Sequence, residues 1–424
     1  GAVDQLACGL SDEARLIILS GGNVTDFNQI SNYPDSQISD SIHDPSQSWN
    51  SLTVGAYTQL TDLTDPTLNG FVPLAQNNQL SPFSTTSLTW EDKWPIKPDV
   101  VFEGGNMAVD TNGFSTECED MSVVSTFYKP VERLFESFRM TSASTAQAAN
   151  FAAKIQTLYP EYWPETIRAL MVHSAEWPDE LKRQFARDSS KTEMKNVLRA
   201  CGYGVPNLER ALYCTTNSLT LIAEAEIQPY EIQTVSYNGS PQKVYKTKDM
   251  HLYDLPWPKG VLENLGATLV KMRITLSYFI EPGPGEVGWK NRYRYASHAL
   301  RFDLNSPSES RSEFIKRINV AARDDNEGHP GTSSPSGYWT LGQVRDKGSI
   351  HSDIWEGTAA DLAASNLIAI YPRIGWWRER SHLGKVESLT RYSLIVSIYT
   401  PEQEVDIYTP VAQQVGVSIP ISGE

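Results

Sequence analysis

The chain has 424 residues, 40% of them hydrophobic and 21% charged. At roughly 100–200 residues per domain it has room for two domains, and its composition excludes a disordered tail. Thirty-six Lys and Arg against 51 Asp and Glu give a net charge of −15. That excludes a general affinity for nucleic acid or an anionic membrane, both of which need a basic footprint.

No stretch approaches the run of about 20 apolar residues that spans a bilayer. Cys8, Cys118, Cys201 and Cys214 include no Cys-x-x-Cys pair. They are read as reduced thiols rather than a disulfide framework or a zinc site. No acidic cluster has calcium-loop spacing, so neither metal nor cofactor is expected. The chain opens on Gly1-Ala2-Val3-Asp4-Gln5 without a signal peptide, which leaves open an upstream start and an export signal removed with it. Few cysteines and an acidic balance favour a cytoplasmic location.

In chain order, Leu16-Ile17-Ile18-Leu19 is an apolar run ending at Ser20-Gly21-Gly22-Asn23. It reads as a buried parallel strand closed by a Gly-rich turn. Leu52 to Ala56 and Pro98 to Phe102 read the same way, the latter ending at Glu103-Gly104-Gly105. Residues 143–158 are Ala-rich with Phe151 and Ile155 four apart, a helix with small faces ended by Pro160. A second helix starts near Trp163-Pro164-Glu165, with Pro and an acid in the first turn. Asp179 to Ala200 reads as a charged, solvated helix face. After about residue 215, Leu219–Ile222, Leu269–Leu276, Ala299–Phe302 and Tyr392–Ile398 are strand-like, and several alternate apolar with polar. This pattern predicts an antiparallel β-sandwich. Residues 305–337 are polar and rich in Gly, Ser and Pro, and read as a long exposed loop.

Ser142, in Met140-Thr141-Ser142-Ala143, precedes the Ala-rich helix. A serine there is ordinarily an N-cap. It also lies in the positive end of the helix field with free backbone N–H groups, which favours an oxyanion of acyl transfer. Asn23 ends the Gly-rich turn, where an Asn commonly tolerates an unusual backbone angle. Its side-chain N–H suits an oxyanion hole, and Gly21 and Gly22 let a substrate backbone approach closely.

Taken in order, these residues resemble a subtilisin-like serine protease, a subtilase, over residues 1 to about 213. Leu16 to Asn23 resembles the strand and turn carrying the family's oxyanion Asn. Asn50 to Ala56 resembles its Val-Gly-Ala strand, and Lys97-Pro98-Asp99-Val100-Val101 with Gly104 the strand before the nucleophile. Thr141-Ser142 and the helix resemble Gly-Thr-Ser-Met-Ala. Pro160 to Ala175 resembles the next helix, and Cys201-Gly202-Tyr203-Gly204 with Ala211-Leu212 the closing motif. The resemblance implies an α/β fold with a parallel-sheet, three-layer catalytic domain at 1–215, followed by the sandwich at 216–424. It makes Ser142 the nucleophile and Asn23 the oxyanion donor, and it places Ser20, Gly21 and Gly22 against a peptide or protein substrate.

Two departures stand out. Met140 replaces the family's Gly, with Ser144 and Ala146 replacing Ala and Pro. A positive backbone angle at residue 140 would then cost energy. The family's Asp and His should also precede the oxyanion Asn, yet no His stands among the 22 residues before Asn23. His43 lies in a loop and His173 within a helix, and both are expected to be structural. The expected partner is therefore an N-terminal segment or separate chain carrying the catalytic Asp and His. The alternative is an inactive protease fold used for binding or regulation. Gly331-Thr332-Ser333 spells the family tripeptide better, but Ser334-Pro335-Ser336-Gly337 cannot start a buried helix. Trp376-Trp377-Arg378 and Tyr293-Arg294-Tyr295 are read as core in preference to exposed binding aromatics.

Overall fold

The computed structural model describes residues 1–9, 13–213, 218–237, 239–284, 295–323 and 336–400. They group into two compact units, Arg15–Leu212 and Gly1–Ala14 with Tyr213–Glu424.

In the unit of residues 15–212, β1 (Ile18–Ser20), β2 (Leu52–Thr58) and β3 (Val100–Glu103) form a parallel sheet in that order. Central β2 is buried along its whole length, as a strand covered on both faces requires. The expectation of a buried first strand needs correction. β1 lies at the sheet edge, pairs with β2 alone among the described residues, and is half-buried throughout. The Lys97-Pro98-Asp99 motif acts structurally. The Lys97 ammonium and Asp99 carboxylate form a buried pair at 2.6 Å, and Asp99 also accepts the Thr53 N–H at 2.7 Å. A buried pair needs such extra hydrogen bonds to offset its desolvation.

β4 (Val123–Thr126) and β5 (Phe135–Phe138) form a two-stranded antiparallel ribbon. It leads directly into α1 (Met140–Leu158), which packs against β1, β2 and β3. Small residues bring that helix close. A Cβ on Gly104 would lie 2.4 Å from the Ala56 Cβ and 2.9 Å from the Ser144 hydroxyl oxygen. Then come α2 (Pro164–His173), α3 (Asp179–Phe185) and α4 (Lys191–Cys201). The solvated-face reading of residues 179–200 is also corrected. Leu181, Phe185, Met194, Val197 and Leu198 are buried, and the buried Arg199 donates to the Ser87 carbonyl at 2.8 Å.

The other unit carries β6 (Ser218–Ile227), β7 (His251–Asp254), β8 (Leu269–Tyr278), β9 (Ala299–Leu304), α5 (Arg311–Arg323), β10 (Ile350–Thr358), β11 (Leu367–Arg373), α6 (Trp376–Glu379) and β12 (Thr390–Tyr399). Its two principal sheets are antiparallel, in the orders β6-β12-β8-β10 and β7-β11-β9. The hydroxyl of Tyr392 on β12 reaches His251 and Tyr253 on β7, each at 2.5 Å. The first residues of the chain belong here because Tyr295 donates to the buried Asp4 carboxylate.

The loop expected over 305–337 is corrected over Arg311–Arg323, which form α5, and residues 324–335 lie outside the described residues. Ser310 accepts the Glu313 N–H, and Glu313 accepts the Ser310 N–H at 2.9 Å, a reciprocal capping box. Phe314, Ile318 and Ala321 recur on one face and pack against Leu252, Leu367 and Tyr371. Trp376 and Trp377 are buried against Tyr230 and Val386. Cys8, Cys118 and Cys201 are free thiols. Tyr293, Arg294, His329, Cys214 and Gly331-Thr332-Ser333 lie outside the described residues. Among the described residues, no helix is long and apolar enough to cross a membrane, and no three His, Cys, Asp or Glu gather to hold a metal.

Two buried histidines flank Tyr278. The His298 Nδ1 faces the Ser297 hydroxyl at 2.8 Å, and the His351 ring stacks on Tyr278 and approaches the Asp346 carboxylate. Burial pushes His298 down to about 3 and His351 to about 4, Asp346 only partly opposing the latter. Each is neutral when folded but takes up a proton when unfolded, near its ordinary pKa of about 6.5. Their contribution to stability is complete above that value and is lost as pH falls from there toward 4 and 3. The melting temperature of this unit should therefore drop steadily between pH 7 and pH 4. A flat profile over that interval would contradict the assignment.

Candidate active site

The site begins where β5 passes into α1. Arg139, in extended conformation, is the N-cap and provides no side-chain cap. Ser142 is therefore the third helical residue and not a cap. It is exposed, and its hydroxyl bonds to no other described element. Met140 has a φ of +71° and donates its N–H to the Gly104 carbonyl at 2.7 Å. The position does require the backbone angle a glycine takes freely. A side chain there costs roughly 1–2 kcal/mol. Packing of Met140 against Val24, Ile30, Phe83 and Met107 offsets that cost.

Asn23, at the end of the turn after β1, meets this helix start. Its Oδ1 accepts the Thr141 N–H at 2.9 Å and the Thr141 hydroxyl at 2.8 Å. A backbone N–H only donates, so the atom facing it must be the amide oxygen. This fixes the side-chain orientation and turns the Nδ2 donor away from Thr141. The half-buried Asn23 thus lies beside the residue preceding Ser142, as the sequence pattern required if the two act together.

The residues expected to contact substrate are held by many hydrogen bonds. The Ser20 carbonyl accepts the Ser46 hydroxyl at 2.5 Å. Gly21 donates to Val54 at 2.8 Å and accepts from His43 N–H and the Thr85 hydroxyl. Gly22, with φ +104°, accepts the Thr141 hydroxyl at 3.0 Å. A Cβ on Gly22 would come within 2.4 Å of the His43 ring. Only glycine lets the imidazole rest there.

The residue sequence reasoning left without a role is Thr141. Thr141 stood inside the quoted motif, and its hydroxyl and N–H are both used. His43, expected to be structural, packs on the turn. Its half-exposed ring sits over Gly22, with Nε2 3.7 Å from an Asp40 carboxylate oxygen. His173 is buried in α2. Glu103, at the end of β3, is pushed above the usual carboxylate range by burial, opposed by N–H groups of Gln59 and Gly105.

Residues 1–204 match the model of the Subtilase family, Peptidase_S8. The match supports a subtilisin-like fold and a serine-protease type of function. An uncharacterized protein, y4bN, of Sinorhizobium fredii is 28% identical over 247 residues, which is 54% of this chain and 56% of that protein. The crystal structure of MycP1 from Mycobacterium smegmatis aligns at TM-score 0.25 with 18% identity, over 47% of this chain and 41% of its own. That of a mutant epidermin leader peptide processing serine protease from Staphylococcus aureus aligns at TM-score 0.23 with 14% identity, over 46% and 40%. The chain thus spans about half the length of the proteins it matches.

The close seat of α1 yields a test. Gly104→Ala should lower stability by about 1–3 kcal/mol through overpacking against Ala56 and Ser144. Denaturant unfolding would measure it, and a neutral result would mean the helix is free to withdraw.

Proposed function

We propose that the unit of residues 15–212 is the nucleophile-bearing part of a serine endopeptidase that cleaves peptide bonds in protein substrates. The observation that carries this reading is the pair of hydrogen bonds from Thr141 to the Asn23 Oδ1. They bring the Asn23 carboxamide to the residue that precedes an exposed serine at a helix N-terminus. In the reaction, the Ser142 hydroxyl attacks the scissile carbonyl. The Asn23 Nδ2–H and the Ser142 N–H donate to the oxygen as it becomes an oxyanion. A histidine takes the serine proton and an aspartate orients that histidine. Ser20, Gly21 and Gly22 line the side where the substrate backbone approaches.

The His and Asp come, on this reading, from a segment or chain outside these residues, and the open edge of β1 is where it adds. Leu52 donates to Ile17 and Gly21 to Val54. Odd-numbered residues of β1 therefore face β2, and the Ile18 N–H and carbonyl face outward. A parallel edge that pairs with no further strand among the described residues, next to the catalytic groups, is a template for another strand. The sheets of the other unit are read as a β-sandwich that binds a partner or supports the catalytic unit.

The inactive reading draws on the same geometry, since no described histidine hydrogen-bonds Ser142. A fluorophosphonate probe applied to the natural full-length protein separates the two. Labelling at Ser142, absent in Ser142→Ala, is the expected result, and no labelling in the intact protein would favour a binding role. In active enzyme, Asn23→Ala should reduce turnover by about 100- to 1,000-fold with little change in KM. That magnitude is the one established for the corresponding donor in subtilisin.

A further inference from the structure

The ribbon that precedes the nucleophile exposes unusual apolar surface. Val124, Tyr128, Val131, Leu134, Phe135 and Phe138 are all exposed, Val131 at 96% and Phe135 at 61%. Val124 opposes Ser137 and Thr126 opposes Phe135, so Val124 and Phe135 share one face while Phe138 stands on the other. A solitary two-stranded ribbon has marginal stability in water, and an apolar one invites a partner. Its charges are spent within it. Lys129 pairs with Glu132 at 3.1 Å, Arg133 with Glu136 at 2.5 Å, and the Arg133 guanidinium stands 3.9 Å from the Phe127 ring centre. What remains for recognition is apolar side chains and the outer edge of β5, which pairs with β4 alone among the described residues.

Continuity says what covers it. β5 stays extended through Arg139, and Ser142 follows three residues later. A strand laid along β5 is therefore delivered to the nucleophile. We propose that this ribbon is the docking edge for the polypeptide substrate, whose extended backbone pairs along β5 and whose alternate apolar side chains rest on the Val124–Phe135 face. This rests on the protease reading for the identity of the occupant. An apolar extended segment a few residues from the scissile bond is then the feature that selects substrates.

The test uses full-length protein carrying Ser142→Ala and a fluorescein-labelled decapeptide of alternating Leu and Ser, followed by anisotropy. Adding Val124→Ser, Val131→Ser and Phe135→Thr should weaken binding about tenfold or more, because three exposed apolar contacts are removed together. Leu389→Ser, an equally exposed leucine in the other unit, should not. Unchanged melting temperatures would show that both variants fold. Equal affinity in the ribbon variant overturns the proposal. So does a ribbon-dependent dimer in sedimentation, or ribbon-dependent binding to phosphatidylcholine vesicles with no peptide binding. Ribbon-dependent peptide binding in a protein whose wild-type Ser142 never reacts with fluorophosphonate would sustain the docking edge and sink the protease reading alone.

Discussion

The structure around residue 142 depends on one contact, the Asn23 carboxamide oxygen receiving both donors of Thr141. The partners are 118 residues apart in the chain. Each bond is worth only about 1 kcal/mol net. Their leverage is geometric, because they lock one end of the amide and thereby aim the other. The same pair satisfies the Thr141 N–H, which the helix start would otherwise leave unbonded. The single Thr141 hydroxyl proton is shared between the Asn23 oxygen and the Gly22 carbonyl, so turn and helix hold each other.

That clasp is possible only because the helix lies unusually near the sheet. Gly104 admits it, and the Ser144 hydroxyl bonds back to the Phe102 and Glu103 carbonyls at 3.1 and 3.2 Å. The Ser found where the related pattern has Ala is therefore a second tether and not a defect. Beneath it, Gly202 packs so closely on Asp99 that a Cβ would meet its carbonyl at 2.3 Å. The buried Lys97–Asp99 pair thus fixes the sheet from which β3 and Gly104 are presented.

What could be read in the sequence follows from which features are local. Strands β2, β3, β8 and β12 and the helices from Met140 and Pro164 were legible, because apolar runs, alternation and a leading Pro are short-range signals. The edge position of β1 was not, since the residues of an edge strand and a central one look alike until the sheet order is known. α5 had its cap signal in Ser310 and Glu313 and its apolar spacing in Phe314 and Ile318, but the polar composition around them outweighed both. The juxtaposition of Asn23 and Ser142 came from the family pattern. The role of Thr141 emerged only from coordinates, because the direction in which an amide points is not written in residue order.

On the protease reading a negative charge would develop at the head of α1, and the electrostatics there suit it. The helices α2, α3, α4 and α5 each carry an acid in the first turn: Glu165, Asp179 with Glu180, Glu193 and Glu313. α1 carries none, and its N-cap is Arg139, whose guanidinium is drawn off to Glu117. A helix of 19 residues therefore leaves its positive end uncompensated by any side chain of its own. An acid in that first turn would stabilise the helix by some 0.3–1 kcal/mol, yet it would repel an oxyanion held at the Ser142 N–H. A positive φ at Met140, a start capped only from the distant Asn23 and a missing acid fall together in the first turn of α1. All three make sense if those residues are arranged for a charge that exists only during reaction.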